Sequence, residues 1–333
     1  MAVKIGINGF GRIGRYLTRI MAGDNDIELA VINARADNYT LAHLLKYDSI
    51  HGVFKADISS DDHGILVNGK HIKTTRDAIG EWKWKDLGVD IAIETSGKLK
   101  DRDGLQKHID CGAKKSIISA PGKGVDITVV MGVNQDNYNP AKHHVLSNAS
   151  CTTNCLAPAV KIINDNFGFV HGLMTTIHSY TMSQRILDGS HKDLRRARAA
   201  AMNMIPTTTG AAKAVTEVIP ELKGKLDGMA VRVPTPNVSM VDLTCELKHP
   251  TDKDAVNAVL KAAAEGPLKG NMGYTDLPLV STDFTGSHYG GVIDGLSTTV
   301  LDKTLLKLII WYDNESGFSH QLLRLVKQVA KAL

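Results

Sequence analysis

The chain has 333 residues, 43% of them hydrophobic and 22% charged, with a formal net charge of +4. That length suits about two domains, and the near-neutral balance excludes the broad basic footprint of a nucleic-acid binder. No run of about 18 uncharged apolar residues reads as a membrane span, the strand-like start at Val3 leaves no room for a signal peptide, and four scattered cysteines exclude a disulfide framework, so a soluble cytoplasmic protein is expected.

In chain order, Val3–Gly9 reads as a short buried strand. The segment GRIGRYLTRIMAG then reads as a helix, with Ile13, Leu17, Ile20 and Met21 on one face and Gly23 closing it. IELAVINA is the next apolar strand. A strand, helix and strand within about 30 residues form the unit of a parallel sheet. Further strands are expected at 89–95, 115–120, 126–133 and 143–150, with KDRDGLQKHIDCGA as a crossover helix. The fold expected for residues 1–150 is a doubly wound, Rossmann-type dinucleotide-binding domain.

The pattern then changes. A helix around Thr152–Asn164 is expected, irregular in its first part because of Pro158. Long β-rich segments follow at 171–181, 228–247, 292–302 and 305–314, with a helix over 252–266. They predict an α+β catalytic domain over residues 151–315, built on a mixed or antiparallel sheet. The basic run HKDLRRARAA reads as a solvated or inter-subunit segment. Residues 316–333 are amphipathic, with Leu322, Leu325, Val326 and Val329 at helical spacing, and are expected to pack back on the first domain.

Three motifs carry chemistry. INGFGRIG places Gly9, Gly11 and Gly14 in a G-x-G-x-x-G pattern between a strand and a helix, where glycine lets the backbone approach a pyrophosphate. SNASCTTNC places Cys151 where a strand gives way to a helix. A helix N-terminus favours a thiolate there, and its amides can hold an oxyanion. Cys155, one turn on, reads as structural, and the C-x3-C spacing lacks the further Cys/His pair of a zinc site. TTIHSYT places His178 near the end of an apolar strand, where it is a candidate base for Cys151.

Together with RRARAAAMNMIPTTTGAAKAV, RVPTPNVSMVDL and WYDNESGFS, these motifs run in the order and spacing of the phosphorylating glyceraldehyde-3-phosphate dehydrogenases, which the chain resembles over its whole length. The resemblance implies oxidation of glyceraldehyde 3-phosphate through a thioester on Cys151, with His178 as base, hydride passing to NAD(P), and inorganic phosphate releasing 1,3-bisphosphoglycerate. It implies substrate-phosphate contacts at Thr181 and Arg232, with Arg196 as a further candidate. Inorganic-phosphate contacts fall at Ser150, Thr152, Thr209 and Gly210. Cofactor contacts fall at Gly9, Gly11, Arg12, Ile13, Arg76, Ser119 and Asn314. Ser183 stands where the family often carries an acid.

One departure concerns cofactor choice. The family's acid after Asn33, which reads the ribose hydroxyls and favours NAD, is replaced by Ala34, and Arg35 follows. Gly189 and Ser190 resemble the NADP-using photosynthetic versions, in a segment that reaches a neighbouring subunit's cofactor. NADP is therefore expected to be favoured over NAD, in a homotetramer that needs neither nucleic acid nor membrane. The alternatives are an erythrose-4-phosphate dehydrogenase, whose acyl-enzyme is hydrolysed, and a non-catalytic binding protein on the same scaffold. An aspartate-semialdehyde type dehydrogenase shares the cysteine logic but lacks WYDNESGFS.

Overall fold

Apolar runs that alternate with helices give a computed structural model, describing residues 2–333, in which two units each carry one sheet. The first takes the chain up to Val129, then Gln135–Ala149 and Leu322–Leu333. Its strands are β1 (Val3–Asn8), β2 (Ile27–Asn33), β3 (Ile58–Ser60), β4 (Gly64–Val67), β5 (Lys70–Thr75), β6 (Ile91–Glu94), β7 (Lys115–Ile118), β8 (Ile127–Thr128) and β9 (Val145–Ser147). Its helices are α1 (Arg12–Met21), α2 (Asn38–Lys46) and α3 (Arg102–Asp110). The sheet order is β3-β4-β5-β2-β1-β6-β7-β9-β8.

β6 and β7 are buried along their whole length, as parallel strands covered on both faces must be. The chain runs from β1 to β2 on one side and later returns to pair β6 on the other, so the topological switch lies beside the end of β1, where dinucleotides bind in such sheets. Asp37 and Asp101 cap α2 and α3 by accepting from the amides of Thr40 and Gly104. At the other end of the chain Leu322, Leu325, Val326 and Val329 are fully buried, and the Lys327 ammonium lies 2.7 Å from Asp24 and 3.1 Å from Asp26.

The strand expected over 126–133 is cut to two residues. Val130 donates its amide to the Asn134 side chain, Gly132 takes φ +85°, and the resulting turn belongs to the second unit. The antiparallel β3-β4-β5 meander has no counterpart in the sequence reading.

The second unit takes Val130–Asn134 and Ser150–Gln321. It contains α4 (Cys151–Phe167), β10 (Phe169–Ser179), β11 (Ile205–Thr207), α5 (Ala211–Val218), β12 (Leu226–Val233), β13 (Ser239–Leu247), α6 (Lys253–Glu265), β14 (Met272–Thr275), β15 (Gly291–Asp294), β16 (Thr299–Leu301), β17 (Leu305–Tyr312) and the first part of α7 (Ser316–Ala330), whose remainder belongs to the first unit. The sheet order is β11-β12-β10-β13-β17-β15-β14, with β16 against β17. It is mixed: β10 and β12 are parallel, while β10, β13 and β17 are antiparallel neighbours. β13 alternates buried and half-buried residues, the signature of a sheet with one face on a core.

α4 begins one residue earlier than expected and runs unbroken through Pro158. Residues 152–160 are all buried, and this packing outweighs a proline penalty of about 3 kcal/mol. Among the described residues no helix is long and apolar enough to cross a membrane.

Candidate active site

In the first unit, β1 ends and the chain turns at Gly9 with φ +100°, a conformation that favours glycine. A Cβ there would lie 2.6 Å from the Ser96 backbone, and one on Gly14 would lie 2.5 Å from the Gly9 carbonyl oxygen. A Cβ on Gly11 would meet nothing within 4 Å. Two glycines thus serve close backbone packing, while the third leaves a clear approach to the start of α1. Gly11 is itself the N-cap of α1 and brings no side-chain cap. An uncapped helix start beside a glycine turn fits the pyrophosphate of a dinucleotide. Arg12 forms a bidentate pair with Asp48, which engages its guanidinium and leaves the amides of Arg12 and Ile13 as the groups at this helix start that could meet a ligand.

At the end of β2, Asn33 holds neighbouring chain ends together. Its Nδ2 donates to Asn8 Oδ1 at 2.9 Å, and its Oδ1 accepts from the Thr75 hydroxyl and the Asp77 amide. Ala34 is half-buried and Arg35 is exposed, with no ion pair among the described residues. The Arg76 guanidinium folds over the same loop, 2.7 Å from the Ala36 carbonyl and 2.6 Å from Asn38 Oδ1. Asp37, the nearest acid along the chain, is engaged as the α2 cap by both the amide and the hydroxyl of Thr40. Ser119 lies beyond β7, its hydroxyl donating to the Glu94 carbonyl at 3.0 Å.

In the second unit, Cys151 is the first residue of α4, with Ser150 as N-cap; the Ser150 hydroxyl accepts from the Thr153 amide at 3.1 Å. The preceding residue, Ala149, is held at φ +55°. His178 is brought to this helix start by β10, and its Nε2 lies 3.4 Å from Cys151 Sγ. Across the parallel pair, Arg232 on β12 stands opposite His178, its Nη1 2.6 Å from His178 Nδ1 and 2.8 Å from the Ser179 carbonyl. Nδ1 itself lies 2.7 Å from the same Ser179 carbonyl, which only accepts, so Nδ1 carries the imidazole proton and Nε2 is the nitrogen left to accept from Cys151. Among the described residues Arg232 Nε is buried without a partner.

Burial pushes the Cys151 thiol upward, and the charge of Arg232 with the Thr152 contacts only partly pulls it back. Burial first, then the Arg232 charge, lowers His178 to about 3.

Around this pair the other candidates divide. Thr152 turns its hydroxyl inward, 2.9 Å from Tyr312 Oη, which is also 2.8 Å from the Thr176 hydroxyl. Arg196 is half-buried, bonds Thr207 Oγ1 at 2.8 Å and the Thr208 carbonyl, and its charge acts on Arg232. Thr209 accepts from the Ala211 amide, and Gly210 is the N-cap of α5. Thr181 Oγ1 is 2.9 Å from Ser183 Oγ, so serine retains a polar partner at the position where an acid is common. Ser190 is exposed and its carbonyl holds Arg185. No direct bond joins Thr181, Thr209 or Ser190 to Cys151 or His178 among the described residues.

Asn314 follows β17. Its Oδ1 accepts from Ser179 Oγ at 2.8 Å and Ser239 Oγ at 3.0 Å, which leaves Nδ2 as the group to offer a ligand. Ser239 follows Val238, a β-branched residue at φ +64°. Such outliers persist where the surroundings over-determine them, and this one and Ala149 each lie within two residues of a candidate functional side chain.

The sequence reading missed Thr176, Ser179, Ser239 and Tyr312. The available signal was their position: polar residues at inward-facing places of apolar strands require partners.

Sequence models of two domains match the chain. The NAD binding domain of glyceraldehyde 3-phosphate dehydrogenase matches residues 3–102, and the C-terminal domain of the same enzyme matches residues 150–314. The glyceraldehyde-3-phosphate dehydrogenase of Geobacillus stearothermophilus is 58% identical over 332 residues, covering 99% of each chain. Glyceraldehyde-3-phosphate dehydrogenase 1 of Bacillus subtilis (strain 168) is 54% identical over 333 residues, again 99% of each chain. Glyceraldehyde-3-phosphate dehydrogenase 2 of Trichormus variabilis is 52% identical over 333 residues, with the same coverage.

Proposed function

The chain belongs to the glyceraldehyde 3-phosphate dehydrogenase family, and on that premise we propose that Cys151 and His178 carry its reaction, with Arg232 anchoring the substrate. It is an NAD(P)-dependent oxidoreductase of that class. The observation that supports the assignment most is the Cys151–His178 contact of 3.4 Å at the start of α4, beside Arg232.

The Cys151 sulfur adds to the aldehyde carbon of glyceraldehyde 3-phosphate, and the thiol proton passes to His178 Nε2. The amides at the start of α4 stabilise the negative charge that develops on the carbonyl oxygen. His178 returns that proton to the oxygen to give the thiohemiacetal hydroxyl, and takes it up again as the carbon gives up hydride. The bound nicotinamide cofactor supplies the acceptor for that hydride. A thioester remains on Cys151. Inorganic phosphate attacks its carbon, the C–S bond breaks, and Cys151 departs as a thiolate with 1,3-bisphosphoglycerate as product.

Thr181 and Arg232 hold the substrate phosphate, and Arg196 adds a second positive charge. Ser150, Thr152, Thr209 and Gly210 receive the attacking phosphate, two of them at the start of α4 and two at the start of α5, where amides favour anions. Binding a phosphate at Arg232 neutralises the charge that depresses His178, so the substrate raises the basicity of its own catalyst. For this assignment Cys151→Ser abolishes turnover with the fold intact. A serine variant of near-normal rate contradicts the thioester route.

For the cofactor we assign a preference for NADP over NAD. Ala34 brings no charge to repel a 2′-phosphate, Asp37 is engaged as a helix cap, and Arg35 and Arg76 supply cations to the same loop. We also assign a homotetramer. Met182, Ile186, Leu187, Leu194, Met202 and Met204 are each more than 70% exposed within one segment, an apolar surface that suits a second copy. The four free cysteines suit a cytoplasmic setting.

A further inference from the structure

Tyr312 is the last residue of β17 and is 1% exposed. A buried phenol needs partners for its hydroxyl. Here they are Thr152 Oγ1 at 2.9 Å and Thr176 Oγ1 at 2.8 Å, both on nearly buried threonines. The first directly follows Cys151 at the start of α4. The second lies two residues before His178 on β10. The Tyr312 ring also meets the His178 imidazole edge to face, with centroids 5.9 Å apart at 83°. One side chain therefore touches both elements that set the distance between the sulfur and its base.

A hydroxyl donates one hydrogen bond, so three in a row acquire a direction. If Thr176 donates to Tyr312 and Tyr312 donates to Thr152, the Thr152 proton is left to point elsewhere. The sulfur of Cys151 lies 4.0 Å from Thr152 Oγ1. We propose that Tyr312 is a positioning residue, whose hydroxyl ties the first turn of α4 to the strand carrying His178 and aims the Thr152 O–H at the Cys151 sulfur. This rests on the reading of Cys151 as the nucleophile. Thr152 is also a phosphate contact in that reading, so the same orientation serves the acyl-transfer half of the reaction.

The other titratable or charged groups that bear on Cys151 are His178, Arg232 and Cys155. None of them bonds the Tyr312 hydroxyl. Removing that hydroxyl alone leaves them in place, takes the direction out of the relay, and loosens the first turn of α4.

The test is alkylation of Cys151 by iodoacetamide across pH, read on the Cys151 peptide by mass, with steady-state kinetics beside it. Tyr312→Phe keeps the ring and loses the hydroxyl. The inflection of the alkylation profile rises by about 0.5–1 unit, and kcat falls about three- to tenfold with KM for glyceraldehyde 3-phosphate within about twofold. Thr152→Val gives the same alkylation shift, and the double variant adds little to either single one. Tyr312→Phe with Thr176→Val replaces both buried partners by apolar groups and recovers thermal stability, while the alkylation shift persists. A Tyr312→Phe profile that superimposes on the wild type overturns the proposal. So does a profile that returns to normal together with stability in the Tyr312→Phe/Thr176→Val variant, because the role is then only packing. Alkylation needs no turnover, so a wild type that reacts at Cys151 but does not oxidise glyceraldehyde 3-phosphate counts against the assigned reaction and leaves this test readable.

Discussion

The buried imidazole of His178 makes stability depend on pH in a direction that follows from its surroundings. Its ordinary value of 6.5 is lowered to about 3 in the fold, by burial and then by the Arg232 charge. As pH falls below about 6.5 the unfolded chain takes up a proton that the folded chain refuses. The stabilisation is complete above that value and is lost as pH falls towards about 3. Between pH 7 and pH 4 this one group accounts for about 3 kcal/mol. Urea unfolding at the two pH values therefore shows a larger loss in the wild type than in His178→Asn, by roughly that amount. Equal losses in the two proteins contradict a buried neutral imidazole. A second residue carries the cofactor assignment. Ala34→Asp places a carboxylate that accepts from the ribose hydroxyls of NAD and repels the 2′-phosphate of NADP. The ratio of kcat/KM for NADP over NAD falls by about 5- to 150-fold, which corresponds to about 1–3 kcal/mol. Arg35→Ala acts in the same direction. A wild-type ratio well below one that Ala34→Asp leaves unchanged removes this loop from cofactor selection.

At the scale of elements, the glycine turn separates two kinds of constraint. Gly14→Ala drives a methyl to 2.5 Å from the Gly9 carbonyl, forcing α1 off the end of β1. It costs about 1–3 kcal/mol of stability. Gly11→Ala meets no protein atom within 4 Å, so the melting temperature holds. Cofactor affinity falls by an order of magnitude or more because the methyl occupies the pyrophosphate's approach. Calorimetric titration with NADP and NAD, set beside thermal melts, reads the two effects separately. Full affinity in Gly11→Ala places the cofactor elsewhere. The same scale shows what the sequence made legible. Parallel strands such as Ile91–Glu94 were readable because burial on both faces leaves an unbroken apolar run. The β4–β5 hairpin was readable in principle, since Asn68–Gly69 takes positive φ at both residues and is a strong two-residue turn signal. Its flanks are short and half polar, which hid it. Asp126–Val133 misled because its apolar composition suits a strand, while Asn134 and Gly132 close a turn. Pro158 misled because local propensity ignores the packing around α4.

At the scale of the molecule, the segment from Met182 to Met204 presents exposed apolar side chains. For a homotetramer, sedimentation gives four copies, and Leu187→Asp weakens assembly and cofactor binding together. A fully active wild-type monomer contradicts it. Cys151 and His178 were legible as candidates from their places at a helix start and a strand end, whereas Arg232 entered only through the motif resemblance; the structure brings the three side chains together. The hydroxyl partners were not legible, because Thr176 and Ser239 reach their roles through strand register, which pairs residues far apart in the chain. The central claim is that Cys151 carries an acyl group that inorganic phosphate removes. Mixing the enzyme with glyceraldehyde 3-phosphate and NADP or NAD, with and without phosphate, and following reduced cofactor tests this directly. Without phosphate the account predicts a burst of one equivalent of reduced cofactor per active site and then near arrest. With phosphate it predicts continuous turnover and an acid-labile acyl phosphate as product. Sustained turnover without phosphate, at the rate seen with it, would contradict the account.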